Sequence, residues 1–235
     1  MKKDKSPKVH QNEKIKETLT INSKVDFTEK QKLLINILQN KQTKLVFLSG
    51  PAGSSKTFIS VYCSLNLLND KRVSELIYVR SAVESADSKL GFLPGEMDEK
   101  MSPYIQPLVD KLEELLPKFQ IDKLKKDERI LGVPVNFLRG LNWNAKCIVA
   151  DEAQNMTKKE LITLITRVGE FSKLFICGDP DQSDINGKSG FLPIMTSFDD
   201  EESRNHGIFV FKFTEEDIVR SELVKFILKK LKNNN

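Results

Sequence analysis

Long apolar runs are missing from this sequence. No stretch of its 235 residues approaches the ~18 consecutive apolar residues that a membrane-spanning helix needs, and no apolar core follows the lysines at its start. The expectation is therefore no membrane span, no signal peptide and a cytoplasmic location. Cysteine is scarce too: Cys63, Cys147 and Cys177 are odd in number, widely spaced and set inside apolar stretches. Such a set argues against a disulfide framework or a zinc site and reads as buried thiols in a reducing compartment. Of the two histidines, His10 lies in a polar tail and His206 in a polar loop, and neither is placed as a ligand. The net charge of +4 permits a nucleic-acid partner without arguing for one. No internal repeat is present.

At 39% hydrophobic and 30% charged, the chain has the composition of a globular protein, and its length suits one α/β domain with appendages or at most two small domains. Residues 1–24 are Lys-rich, polar and aperiodic, a solvated tail or a basic arm for RNA or DNA. The domain is placed at 25–232, with 233–235 as a short tail.

The stretch around which the rest is organised is KLVFLSGPAGSSKT, Lys44 to Thr57. An apolar run, Leu45 to Leu48, reads as a buried strand; Phe58 to Leu68 reads as a core helix. Strand, tight loop and helix are the setting of a phosphate-binding loop. Gly50, Pro51, Ala52, Gly53, Ser54 and Ser55 are the candidate nucleotide-binding loop: its backbone N–H groups can face a polyphosphate, and the helix dipole favours negative charge there. Lys56 would reach the outer phosphates, and the Thr57 hydroxyl would hold Mg²⁺. One position departs from G-x-x-x-x-G-K-[ST]: Ser55 stands where glycine normally lets the backbone turn sharply. Two readings stay open, a serine that fits with a negative φ and one that loosens nucleotide binding.

Further polar groups end apolar strands. Leu76 to Val79 is followed by Arg80, a candidate phosphate or substrate contact, because ligands of open α/β sheets sit beyond the carboxyl ends of strands. Lys146 to Ala150 leads into Asp151 and Glu152, about 95 residues after the loop. Successive strand side chains point oppositely, so the pair can divide labour: Asp151 in the Mg²⁺ shell, Glu152 deprotonating the attacking water. Ser172 to Cys177 ends in Gly178-Asp179-Pro180-Asp181-Gln182, and Gln182 can contact the γ-phosphate or its water. Three such strand ends favour a site over three accidents.

Elsewhere, Thr28 caps a helix carrying Leu33, Leu34, Ile37 and Leu38, with Gln31 in its first turn; a glutamine amide offers donor and acceptor together, which matches an adenine edge. Ala86 to Met101 is expected as an exposed loop, Pro103 to Leu116 as a helix and Val133 to Leu138 as a strand that Pro134 keeps at an edge or at its start. Residues 119–131 are charged and of no evident form. Thr157 caps a helix from Lys158 to Val168, Ile208 to Phe213 is the last strand, and Ile218 to Leu231 the last helix, with Arg220 in its first turn. Trp143 stacks on a base or anchors the core.

From about Phe27 to Leu231 the chain resembles the PhoH family. The motifs that carry the resemblance are GPAGSSKT (50–57), AVESADSKLGFLPGEMDEKMSPYIQPL (82–108), FLRG (137–140), VADEAQN (149–155), LITRVG (164–169), GDPDQSD (178–184), SG (189–190) and DIVR (217–220), in order. The resemblance implies an α/β fold: a RecA-like P-loop NTPase, a mostly parallel β-sheet with helices on both faces, like one domain of a superfamily-one helicase. It implies ATP and Mg²⁺ as cofactors, with Gln31 reading adenine, Lys56 and Thr57 on the phosphates and Mg²⁺, Asp151 and Glu152 as the second nucleotide motif, and Gln182 as γ-phosphate sensor. Arg220 sits where the family carries an arginine. Departures are Ser55 in the loop, Leu141 for a second arginine and Ser221 for histidine. Some relatives carry a nuclease domain before the ATPase; the N-terminal stretch here is too short for one, so no nuclease is expected.

Helicases of this kind close the ATP site between two such domains, and this chain has length for one. A neighbouring subunit would then supply the transition-state arginine, in a head-to-tail homo-oligomeric ring read as a hexamer. Arg220 is the first candidate, with Arg139 and Arg167 behind it. The resulting expectation is an ATPase coupled to RNA or single-stranded nucleic acid. Its rivals are an ATP-gated binding module with negligible hydrolysis and a small-molecule phosphotransferase, the last disfavoured by a carboxylate placed to activate water.

Overall fold

The computed structural model describes residues 18–81, 97–138 and 143–219, and the side chains of 97–104 are outside that description. Each central strand is a continuous apolar run buried on both faces, which is the pattern of a parallel sheet covered on two sides. Six strands form that sheet: β1 (Leu45–Ser49), β2 (Glu75–Arg80), β3 (Ile130–Pro134), β4 (Lys146–Asp151), β5 (Lys173–Gly178) and β6 (Ile208–Lys212). Their order is β3-β2-β4-β5-β1-β6, and every pairing is parallel.

Alternate residues separate the two faces. Val46, Leu48, Tyr78, Val149 and Phe175 meet α1 (Glu29–Gln39), α2 (Lys56–Asn69), α3 (Met97–Leu115) and α4 (Lys118–Lys126). Phe47, Ile77, Val79, Ile148 and Ile176 meet α5 (Lys158–Ile165), α6 (Phe191–Ser197) and the buried Trp143. A short α7 (Glu201–Asn205) leads into β6. This is the architecture of a RecA-like P-loop NTPase. Among the described residues, no helix is long and apolar enough to cross a membrane.

Several expectations are corrected. The expected strand at 133–138 lies earlier: Ile130–Pro134 pairs with Leu76–Arg80, and Val135–Phe137 is a 3₁₀ turn. Pro134, with φ −65°, ends the edge strand and opens the turn. The charged stretch before it contains α4, whose Ile121 and Leu124, three apart, are buried on the α3 side while its lysines stay out. Helix α3 begins at Met97, inside the stretch expected as a loop; residues 82–96 lie outside the described ones. Helix α5 stops at Ile165, short of Val168. Ile218 is extended after a 3₁₀ turn at Glu215–Asp217, and residues 220–231 of the expected last helix lie outside the described ones. Residues 18–24, expected as tail, form a strap. Asn69 accepts from the Leu19 N–H at 2.8 Å, Gln120 accepts from the Thr20 N–H at 2.9 Å, and Leu19 is buried.

Helix α2 seats on the sheet through small polar contacts. Ser60 lies 3.3 Å from the Cys177 thiol and Ser64 3.0 Å from that of Cys147. Burial pushes the Cys147 and Cys177 thiols up to about 12 from 9.0, and Cys63 also well up. Above the ordinary thiol value the unfolded chain loses these protons while the folded chain keeps them, so stability falls as pH rises from about 9 towards 12, by up to ~1.4 kcal/mol per thiol per pH unit. Lys173, lowered by burial to about 8, opposes this between there and its ordinary 10.5. Thermal melts should therefore show Tm falling above pH 9, and less steeply in Cys147→Ala than in the parent chain.

Candidate active site

Strand β1 delivers the chain into a tight loop, and α2 leaves it at Lys56. Gly50 has φ +152°, and a Cβ there would lie 2.6 Å from the Phe213 Cβ, so the close passage of the chain after β6 requires a glycine. Ser54 is buried and donates to the Pro51 carbonyl at 2.8 Å, bracing the turn. Ser55 has φ +64° and ψ 20°, and its side chain caps nothing. The negative-φ reading of Ser55 is thereby overturned: serine occupies the left-handed conformation that glycine normally takes. That conformation costs roughly 1–2 kcal/mol in a residue with a Cβ, against roughly 0.5–1 for the extra freedom that glycine loses on folding. Ser55→Gly should raise Tm by about 1–4 °C in a thermal melt.

The Lys56 ammonium donates to the Gly50 carbonyl at 2.6 Å and the Pro51 carbonyl at 2.9 Å. Burial lowers its pKa from 10.5, and Asp179, Asp151 and Glu152 are among the charges opposing that shift. On the first turn of α2, Thr57 Oγ1 donates to Asp151 Oδ1 at 2.7 Å. The strand that leads into the loop, β1, is not a neighbour of β4, since β5 lies between them; the crossover of α2 brings the hydroxyl to the carboxylate. The second Asp151 oxygen accepts from the Tyr78 phenol at 2.6 Å. Burial, then the Asp151 charge, hold that phenol far above its ordinary pKa of 10.0, so it stays a donor.

Simple alternation along β4 would send Glu152 away from Asp151. Instead the strand ends at Asp151, and Glu152, with φ +52°, turns left-handed into a 3₁₀ turn at Ala153–Asn155. Both carboxylates therefore line one cleft of about 340 Å³, together with Ala52, Gly53, Ser55, Lys56, Thr57 and Gln182. Glu152 is held on two sides. Gln154 Nε2 donates to its Oε2 at 2.6 Å, and Arg80 Nη2 lies 3.9 Å from its Oε1. Gln154, 1% exposed, also accepts from the Asp179 N–H at 3.0 Å. That bond ties Glu152 to the turn Pro180–Gln182, which places the exposed Gln182 at the rim. Asn155 and Asp184 exchange two further bonds, at 2.9 and 2.8 Å, across the same junction.

The remaining sequence candidates fall elsewhere. Gln31 is buried, and its Oε1 accepts from the Thr28 N–H at 3.0 Å, in a capping box at the start of α1. It does not line the cleft, and its Nε2 makes no hydrogen bond among the described residues. Arg80 stands beside Glu152 without lining the cleft itself. Arg167 lies by the amino-terminal start of the central strand β4, its carbonyl accepting from the Trp143 N–H at 3.0 Å. Arg139 and Arg220 are outside the described residues; the last described residue, Val219, donates its N–H to the Gly53 carbonyl at 3.0 Å. Tyr78 and Gln154 were missed by sequence reasoning. The available signals were one polar-tipped residue in an otherwise aliphatic strand and one amide two residues after the carboxylate pair.

Among the described residues, no group of three or more His, Cys, Asp or Glu is arranged to hold a metal. The Thr57 hydroxyl and Asp151 carboxylate are instead a two-oxygen set of the kind that suits Mg²⁺ completed by phosphate oxygens and water. The cleft is also lined by Lys56 and by the loop residues Ala52, Gly53 and Ser55, so the residues fit a Mg²⁺–nucleoside triphosphate.

A PhoH-like protein of Mycobacterium bovis is 36% identical over 78% of this chain and 51% of its own length. A PhoH-like protein of Bacillus subtilis is 34% identical over 83% of this chain and 60% of its own. The chain thus spans about half to three-fifths of the length of these relatives. A solved Pif1 helicase from Candida albicans aligns with 81% of the chain and 40% of its own at 16% identity and a TM-score of 0.38. The family model described as PhoH-like protein matches residues 24–232, and the chain belongs to that family.

Proposed function

We propose that the chain is a Mg²⁺-dependent ATPase whose turnover is coupled to RNA or single-stranded nucleic acid. The observation that supports this most directly is the convergence of Thr57 and Asp151 at 2.7 Å in the cleft that also contains Lys56 and Glu152. In this reading the loop N–H groups and Lys56 bind the phosphates. Thr57 and Asp151 would hold Mg²⁺, whose chemistry there is to neutralise charge on the phosphate oxygens. Glu152 takes the proton of the attacking water as the γ-phosphoryl group leaves ADP, and Gln154 fixes the carboxylate for that task. Gln182 contacts the γ-phosphate or its water. Gln31 would read adenine through its amide, whose oxygen already accepts one bond from the Thr28 N–H and keeps a second lone pair.

The nucleic-acid half extends the helicase-like resemblance of the sequence motifs, and the lysine-rich N-terminus is compatible with it. A closed ring, with an arginine supplied by the neighbour, belongs to the same reading. Of the three candidate arginines, Arg167 alone lies among the described residues, and its backbone bond to Trp143 places it at the amino-terminal side of β4, away from its own cleft. A chain that stays monomeric, with activity per chain unchanged on dilution, would sink the ring.

The strained φ of Ser55 favours one rival, an ATP-gated binding module with negligible hydrolysis. ATP turnover measured with and without single-stranded RNA separates the two. Turnover that RNA raises supports the ATPase. Absent turnover with ATP-tightened RNA binding supports the module, and loss of both effects overturns both readings.

A further inference from the structure

Tyr78 is 1% exposed, in the middle of β2, on the sheet face packed against α2. In the register of β2 with β4 it stands beside Val149, while Arg80 stands beside Asp151. To reach Asp151 its ring must run along the sheet face and span two residues of the neighbouring strand. A phenylalanine would fill the same space and stop short of the carboxylate. The phenol does reach it, donating to Oδ2 at 2.6 Å, while Thr57 donates to Oδ1 at 2.7 Å. Asp151 is itself 7% exposed, so a lost donor is poorly replaced by water. The two oxygens thus have different donors: one is fixed by a residue of the phosphate-loop helix, the other by a buried residue of a strand that carries no nucleotide motif.

We propose that Tyr78 is the positioning residue of the cation site: it locks the Asp151 carboxylate so that Oδ1 faces Thr57, and thereby sets the Mg²⁺ requirement for nucleotide binding. The proposal rests on the reading of Thr57 and Asp151 as the Mg²⁺ holders. Donors that orient a metal-binding carboxylate typically change metal affinity by about 10–100-fold when removed.

The test titrates Mg²⁺ into the full chain with a fluorescent N-methylanthraniloyl ATP, with EDTA samples as the metal-free baseline. For Tyr78→Phe, the Mg²⁺ concentration that half-maximally tightens binding should rise about tenfold. Metal-free binding should match the parent, which reports an intact pocket. In an Asp151→Asn background the same change should have no further effect on the Mg²⁺ dependence, a non-additivity that mere core filling would not produce. An unchanged Mg²⁺ midpoint in Tyr78→Phe, beside a Mg²⁺-dependent parent, overturns the proposal alone. So does loss of metal-free binding, since Tyr78 would then hold the fold and not the carboxylate. A parent whose binding ignores Mg²⁺ overturns the underlying reading of the site, and the proposal with it.

Discussion

Lys56→Ala should reduce ATP turnover by at least ~10²–10³-fold, the usual effect of removing one charge-stabilising donor from a transition state. The ammonium is the cationic side chain of the loop, held against the Gly50 and Pro51 carbonyls. Its removal acts twice. Negative charge developing on the phosphates loses its partner, and two loop carbonyls lose their donor, which costs the fold about 1–2 kcal/mol. The split is measurable: steady-state turnover reports the first and a thermal melt the second. Lys56→Arg should not rescue turnover, because a planar guanidinium cannot occupy the compact site between these carbonyls. Turnover above a tenth of the parent's would contradict the role assigned to Lys56.

Glu152→Gln should lower turnover by ~10²–10⁴-fold while leaving nucleotide binding close to that of the parent. The replacement keeps the size of the side chain and an oxygen for the Gln154 amide, so the bond that now measures 2.6 Å can persist. It removes the basicity needed to accept a proton from water. It also removes the charge opposite Arg80, a half-exposed pair at 3.9 Å whose loss should be minor for stability. A quenched-flow experiment would then find ATP bound and unhydrolysed. Retained turnover would instead remove Glu152 from the role of base.

Much of this arrangement was legible in the residues. Apolar runs ending in Ser49, Arg80, Asp151 and Gly178 identified strands whose carboxyl ends meet at one edge, and Thr28 and Thr157 announced their helices through capping boxes. What was hidden depends on contacts between distant segments. The left-handed φ of Ser55 belongs to a loop that Ser54 braces and Phe213 crowds at Gly50, and neither contact leaves a local signature. Glu152 turns into the cleft because a left-handed residue breaks the alternation on which strand reasoning relies. Helix α4 was obscured by its lysines, since only two apolar residues in its nine, Ile121 and Leu124, are needed to dock it. The second demand on Gln31, closing the capping box of α1, is a local one that its position in the first turn already permits.

The seat of α2 bears on how this sequence can vary. Ser60 and Ser64 face Cys177 and Cys147 across the closest approach of helix and sheet. Lys56 and Thr57 lie on the turn of the same helix just before Ser60, so the height of that helix above the sheet sets where both meet the phosphates. Four small side chains are therefore a spacer. In a library of random variants, enlargements at these positions should be purged almost as strictly as changes in the loop itself, although none of the four is assigned a role in the chemistry.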